Sequence, residues 1–331
     1  MTWSEIDWAS LGRLRERFLG GGPCDGPYWD SAADIAGYDL TYGERIGWKW
    51  DAVLEELRMR GWKPASRTLL DWGCGSGIAG RRVIGSFGQD SFDSLAVWDH
   101  SPLAADFAVD AARREFPGLA VSAATEDFLK GNGPIGLLVI SHVLNELPPA
   151  ALEEIRSLVA RSGAVLWTEP GSRETSRALG KLRDGWLPEF RVVAPCTHQN
   201  ACPVLAPGNE RHWCHFFAAP PGLIFADPNW VKFGQRAGID LRSLPYSFLA
   251  LDREGSDAAT GLSRVIGRPE VFKPYVRLLN CDADGLAELE VLKRSDPALY
   301  KELGKTKGPL VYRWAREGDK IVGGAGPHPR S

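Results

Sequence analysis

The segment 68–77, TLLDWGCGSG, constrains the fold more than any other part of the chain. An apolar run of strand length ends at Asp71 and passes through Gly73, Gly75 and Gly77 before a helical pattern begins. Glycines let the backbone turn sharply and approach a ligand with no Cβ in the way. The helix N-terminus that follows offers N–H groups to an anionic group. The spacing is D-x-G-x-G-x-G, whereas a dinucleotide fingerprint reads G-x-G-x-x-G, and here Ile78 follows Gly77. The turn is therefore expected to hold a nucleoside that carries an amino acid. The helix end meets the carboxylate and Asp71 the amine, which is the chemistry of S-adenosylmethionine.

Two further acids fit that pocket. Asp99 closes the next apolar run, LAVWD, where a carboxylate can hold ribose hydroxyls. Asp127, in ATEDF, follows the third run and falls near the adenine. From residue 68 onward, short apolar runs at 68–72, 95–99, 119–123, 136–141 and 163–168 alternate with helical stretches such as 102–115 and 149–160. This rhythm implies a parallel sheet with helices on both faces. The fold class is α/β: a class I methyltransferase, Rossmann-like, doubly wound sheet with N-terminal helices and a C-terminal β-rich appendage joined by a metal site. The expected division is a helical region 1–60, a cofactor-binding domain 61–255 that includes the Cys-rich segment 194–217, a small β-rich region 256–321, and a disordered tail 322–331. Segment 44–59 has helical spacing, and the Gly-rich patch 20–27 reads as a loop. After about 171 the rhythm changes: a helix at 174–186, strands at 190–196 and 246–252, and short β segments over 262–294 with an Asp-Gly turn at 284–285.

The fourth run leads into Ser141-His-Val-Leu-Asn-Glu-Leu147, the sheet end that faces substrate in such folds. Asn145 and Glu146 are the candidate polar groups there, and a helix cap with a surface residue accounts for them equally well. No catalytic base stands out. The Asn/Asp-Pro-Pro-aromatic motif of many amino-methylating enzymes of nucleic acids is missing.

Cys196, Cys202 and Cys214 fall within 19 residues, and His198, His212 and His215 lie within or beside that window, which is half of the chain's six Cys and half of its six His. The spacing C-x5-C-x11-C is unlike a zinc ribbon, whose paired ligands lie about two to four residues apart. Irregularly gathered thiolates suit an iron–sulfur cluster, with zinc as the alternative metal. Cys281, ending a β segment, is the best fourth ligand. Cys74 sits inside the glycine turn and Cys24 in the Gly-rich loop.

Bulk properties agree with a globular protein. Apolar and charged residues make up 44% and 24%, and net charge is −3, so a whole-protein basic field is absent. Residues from 261 onward carry +4 against −7 for those before them, which orients the C-terminal part toward a polyanion or reflects an ordinary solvated surface. No apolar run spans a bilayer and no secretory signal is evident, so a cytoplasmic location and no membrane partner are expected.

Taken together, TLLDWGCGSG, ISHVLNELP at 140–148, TEPGS at 168–172, APCTHQNACPVL at 194–205, RHWCHFF at 211–217 and LLNCDADGLAELEVLKR at 278–294 resemble one family. It is the methyltransferase-like family that assists small ribosomal subunit assembly, known from mitochondria and also found in bacteria. The resemblance covers roughly 65–300 and is most specific in the Cys segments. It implies an adenosylmethionine-binding Rossmann core, a four-Cys 4Fe-4S cluster, and contact with the small ribosomal subunit or its rRNA. The cluster ligands it implies are Cys196, Cys202, Cys214 and Cys281, and the cofactor residues Asp71, Gly73, Gly75, Gly77 and Asp99. Thr197 stands where members often have Pro, and segment 38–53 matches only loosely. These departures bear on substrate identity more than on cofactors. Some members act as assembly factors without turnover, so the reading divides among a methyltransferase, a non-catalytic RNA-binding factor, and a small-molecule methyltransferase with a zinc site. A monomer is expected away from the ribosome.

Overall fold

The computed structural model describes residues 1–20, 29–255, 261–305 and 308–326. Cys24 and the rest of the Gly-rich patch from 21 onward lie outside the described residues. The chain divides into two compact units, one of residues 1–51, 64–168 and 219–244, the other of 52–63, 169–218 and 245–331.

The first unit is built on five parallel strands, β1 (Thr68–Trp72), β2 (Ser94–Trp98), β3 (Ala120–Ala123), β4 (Ile135–Ser141) and β5 (Ser162–Pro170), in the order β3-β2-β1-β4-β5. Leu137, Leu138, Val139 and Ile140 of β4 are all fully buried. A strand covered on both faces reads as an unbroken apolar run rather than as alternation. Chain order reverses between β1 and β4, and an open α/β sheet binds ligands outside the carboxyl ends of its strands at such a switch point. The crossover helix Pro102–Glu115 starts where Ser101 accepts the Ala104 N–H and Pro102 needs no donor. Its Ala104 packs in one core with Ile6, Leu11, Leu14, Trp29 and Ile35, so the N-terminal helices share the sheet's packing. Trp3, Trp48 and Phe233 surround Trp230 at ring distances of 5.2, 4.7 and 5.6 Å, which explains part of the high Trp content.

In the second unit, β8 (Pro245–Asp252) pairs antiparallel with both β6 (Arg191–Ala194) and β7 (Phe216–Phe217). Five more strands, β9 (Ser263–Val271), β10 (Tyr275–Asp282), β11 (Gly285–Leu292), β12 (Val311–Glu317) and β13 (Lys320–Ala325), close into a barrel in the cyclic order β9-β10-β11-β13-β12. β11 and β13 are parallel, and a helix, Pro297–Leu303, joins the third strand to the fourth. This is the connectivity of the oligonucleotide/oligosaccharide-binding barrel. Leu299 and Leu303 of that helix enter the barrel core beside Val265, Val276, Leu278 and Ile321.

Three differences from the sequence reading have physical causes. The Cys-rich segment 194–217 falls in the same unit as the C-terminal strands and not with the parallel sheet. The tail expected to be disordered from 322 is instead strand through Ala325, because Arg313–Ala325 pairing gives its glycine-rich backbone a ladder partner; residues 327–331 lie outside the described residues. The turn after β10 is Ala283-Asp284, with Gly285 already in β11 at φ 120°. No helix among the described residues is long and apolar enough to cross a membrane.

The second unit buries an ionic group. Glu56, with no exposed surface, pairs with Arg60 at 2.7 Å and with Arg264. Burial opposes charge on Glu56, but the two guanidiniums outweigh it and hold the carboxyl below its usual range. Arg264 also lies 3.8 Å from the ring centre of Phe216. Removing one member of such a group strands the others in a dry interior. Glu56→Ala is expected to lower unfolding free energy by about 3–5 kcal/mol, read from urea melts of the variant against the parent.

Candidate functional site

Gly73, Gly75 and Gly77 all have left-handed backbone, with φ of 68°, 52° and 75°. They do different work. A Cβ on Gly73 would lie 2.8 Å from Val143, and one on Gly77 2.8 Å from Ala108, so both are needed for close packing. A Cβ on Gly75 would meet nothing within 4 Å and would project into open space. That open space just before a helix start fits a bound nucleoside.

The acids flank it. Asp71 is fully buried, and its Oδ2 accepts the Gly80 N–H at 2.9 Å. Gly80 is the third residue of helix Ile78–Phe87, whose N-cap, Gly77, has no side chain to cap with. Asp71 thus supplies the missing cap from the strand, satisfying a donor that the helix cannot satisfy itself. Its Oδ1 is buried without a hydrogen bond. Burial above all pushes its pKa up to about 7. Asp99 accepts the Gly75 N–H at 2.9 Å and the Ser101 N–H at 2.9 Å, which fixes the carboxylate against the turn. Asp127 is exposed in the first turn of the short helix Glu126–Lys130. In the sheet register, Trp72 lies beside Trp98 and Val97 beside Ala123, so all three acids belong to one edge of the sheet.

The β4 end completes this edge. Asn145 is exposed in a turn, while Glu146 is half-buried and pushed up to about 7, by burial first and then by the Asp99 charge. His142, beside them, is the one described non-glycine residue with positive φ, 58°. Lys49 Nζ lies 3.0 Å from its Nε2, and Ser141 Oγ lies 3.1 Å from its Nδ1 and accepts the Trp50 indole N–H at 3.0 Å. An ammonium only donates, so Nε2 accepts and Nδ1 bears the proton. Burial and then Lys49 hold the imidazole pKa well below its usual value, so the ring is neutral. His142 and Lys49 carry no signal in the sequence beyond the place of His142 after an apolar run. Its strained backbone is visible only in three dimensions.

The four cysteines form the second site. Cys281 is buried with Val204 and Ile266, and Cys202 and Cys214 pack against that cluster. Burial first, then the neighbouring sulfurs, raises the Cys214 and Cys281 thiols well above the usual range, with Cys196 prominent among those neighbours, and Cys202 to about 11. Cys202, Cys214 and Cys281 thus share one cluster, and Cys196 lies within electrostatic reach of it. Thiolates on one tetrahedral zinc ion would lie about 3.8 Å apart, given ligand bonds of about 2.3 Å. Among the described residues, no group of three or more His, Cys, Asp or Glu is arranged to hold a metal ion. His198 is buried with Nε2 3.9 Å from Cys281 Sγ, whereas His212 accepts from Arg211 at 2.9 Å and His215 Nδ1 meets the Trp213 carbonyl at 3.0 Å. Cys74 is buried in the glycine turn of the other unit, its thiol directed to the Gly75 carbonyl.

The segment bearing these thiols has little regular structure, and its carbonyls are bound by arginines. Arg60 donates to Val193, Pro195 and Cys196, each at 2.9 Å. Arg183, 2% exposed, donates to His198 at 3.1 Å and Asn200 at 2.7 Å. Arg177 reaches Val204, Asn209 and His212 at 2.8 to 3.2 Å. Asp184 accepts the Cys202 N–H at 3.0 Å. Buried cations beside four sulfurs fit a group whose thiolates bring negative charge.

The family profile of the mitochondrial small ribosomal subunit protein Rsm22 matches residues 51–319. The chain belongs to this family. No curated protein matches it in sequence. Solved structures similar to it include Thermoplasma acidophilum 1320, at 13% identity and TM-score 0.37, covering 74% of this chain and 98% of that one. Magnesium protoporphyrin IX methyltransferase from Synechocystis, with bound SAH, follows at 15% identity and TM-score 0.40, covering 74% and 95%. The putative RNA methyltransferase PH1948 from Pyrococcus horikoshii gives 11% identity and TM-score 0.38, covering 73% and 94%.

Two predictions follow from the geometry of the first site. Gly75→Ala should lower the midpoint of thermal unfolding by only a few degrees, since its strain is about 1–2 kcal/mol, yet weaken S-adenosylmethionine at least about tenfold by calorimetry. Gly77→Ala, which strikes Ala108, should lose more stability than Gly75→Ala. A cationic ligand favours ionised carboxylates, and Glu146 is largely protonated below its value of about 7. Affinity for S-adenosylmethionine should therefore rise about tenfold from pH 6 to pH 8 and then level off, and Glu146→Gln should flatten that rise.

Proposed function

We propose that this chain is an iron–sulfur-containing, S-adenosylmethionine-dependent methyltransferase-like protein that acts on the small ribosomal subunit or its rRNA during assembly, in the cytoplasm. The family match carries the reading, because residues 51–319 run through both the glycine turn and the four cysteines. Gly73, Gly75 and Gly77 would cradle the cofactor, Asp99 its ribose and Asp127 the adenine side. Asp71 would hold the helix start through Oδ2 and face the ligand's amine with Oδ1. When bound, the cofactor supplies an electrophilic sulfonium methyl. The chain's own contribution is proximity and orientation at the β4 end, where Asn145, Glu146 and the Ser141–His142–Lys49 group lie. Cys196, Cys202, Cys214 and Cys281 would hold the cluster. It ties the segment after β6 to the barrel strand β10 across a long stretch of chain, and its loss should loosen that unit.

A second reading is a non-catalytic assembly factor. It is favoured by His142, whose two ring nitrogens are engaged by Lys49 and Ser141 and are not open to an acceptor.

Sedimentation with small-subunit precursors tests the reading: the protein should travel with small-subunit and not large-subunit particles, and travelling with neither would refute it. Single-turnover methylation of those precursors separates a transferase from the non-catalytic factor. Each of Cys196→Ser, Cys202→Ser, Cys214→Ser and Cys281→Ser should reduce bound iron at least severalfold by elemental analysis, and Cys74→Ser should leave it unchanged. Retention of iron in Cys281→Ser would pass the fourth ligand to His198.

A further inference from the structure

We infer that one end of the C-terminal barrel is a binding platform for single-stranded nucleic acid. That the strand is RNA rests on the small-subunit reading above; the platform itself does not. The barrel end is formed by the turn 272–274 between β9 and β10, the turn 293–295 after β11, and the helix Pro297–Leu303. These pieces are fixed to one another. The Lys293 N–H donates to the Pro274 carbonyl at 2.9 Å, and the Tyr300 hydroxyl donates to the Phe272 carbonyl at 2.8 Å.

Two kinds of group converge there. Phe272, 38% exposed, stacks on Tyr275 at 4.8 Å and 24°, and the Arg277 guanidinium lies 5.4 Å from the Phe272 ring centre. Val271 beside it is 53% exposed. An aromatic ring held by a second ring, with its edge and remaining surface in solvent, offers a nucleobase a surface to stack on. Around it, Lys273, Lys293, Arg294, Lys301 and Lys305 are exposed. Among the described residues, no ion pair engages Lys273, Arg294, Lys301 or Lys305. The nearby acids are already used. Glu270 pairs with Arg277, Asp296 caps the helix at the Leu299 N–H, and Glu302 accepts the Tyr312 hydroxyl. The surplus of cations around one exposed aromatic suits a polyanion with flat bases.

The wall formed by β10 and β11 is less suited to that task. Along β10 and β11, Arg277 faces Glu290 and Leu279 faces Glu288, while Leu279 and Leu286 pack against the thiol cluster. On β10 and β11 the exposed charge is balanced and part of the surface is covered, so the unpaired cations of the barrel end make it the better face for a polyanion. Duplexes hide their bases from such a platform, so single strands are the fit.

The test is fluorescence anisotropy of a labelled 12-nucleotide oligouridine against the full chain. The logarithm of affinity should fall against the logarithm of salt with a slope of about −2 to −3, as three to four phosphate contacts require. Phe272→Ala should weaken binding at least about fivefold, since stacking on a base contributes about 1–3 kcal/mol, and Phe272→Trp should restore it. Changing Lys273, Arg294, Lys301 and Lys305 to Ala should flatten the salt slope. Circular dichroism melts of each variant should match the parent, because none of these side chains is buried. A parent slope near zero, full binding by Phe272→Ala, or equal affinity for a 12-base-pair RNA duplex would overturn the proposal, as would tighter association with phosphatidylglycerol vesicles than with the oligomer. Binding to the oligomer without travelling with small subunits would sink the ribosomal reading and leave the platform standing. Travelling with small subunits while Phe272→Ala binds the oligomer fully would do the reverse.

Discussion

The segment from Val193 to His212 is held by guanidiniums, and the second unit depends on that hold. An irregular buried backbone cannot satisfy its own carbonyls, and each carbonyl left without a donor would cost free energy. Arg60, Arg177 and Arg183 supply the donors along its length. A planar fork with several N–H groups can bind successive carbonyls in fixed geometry, which a lysine cannot do. Glu56 and Asp184 in turn anchor Arg60 and Arg183. The directions in which Cys196 and Cys202 project follow from this clamp. The same cations offset the negative charge that four thiolates would gather in one place.

The glycine turn works by the opposite means. It uses absent side chains where the second site uses long ones. Gly73 and Gly77 allow Val143 and Ala108 to approach, and Gly75 leaves a space that no protein atom fills. Asp71 and Asp99 then pin the turn through the N–H groups of Gly80 and Gly75. The two sites lie in different units.

Much of this was legible before the fold was known. Helices 44–59, 102–115 and 149–160 have the bounds their patterns imply, because apolar spacing, Ser101 and Pro102, and Pro149 mark them locally. The strand order is not written in any one segment and emerges only from the pairing of β1 with both β2 and β4. Cys281 stands out in the sequence by its place at the end of a β segment and is also what the resemblance implies, and hydrophobic packing of Cys202, Cys214 and Cys281 around Val204 and Ile266 brings these three together in space. Other features could not be read. Arg60 and Glu56 look like one more solvated pair four residues apart, and only long-range contact with Arg264 makes them core. The last strand reads as a tail because its glycines have weak propensity for any structure, while β12 provides the ladder. Spacing points Asp71 at the ligand's amine; in the fold its Oδ2 also accepts the Gly80 N–H at the helix start, a role that spacing alone does not reveal, while Oδ1 has no hydrogen bond.

The central claim is that the four thiols hold an iron–sulfur cluster inside a cofactor-binding protein. Absorption spectroscopy with iron and acid-labile sulfide analysis on anaerobically purified protein tests it most directly. The account predicts a brown sample with broad absorbance near about 400 nm and about four iron and four sulfide per chain. A colourless protein carrying about one zinc per chain would contradict it.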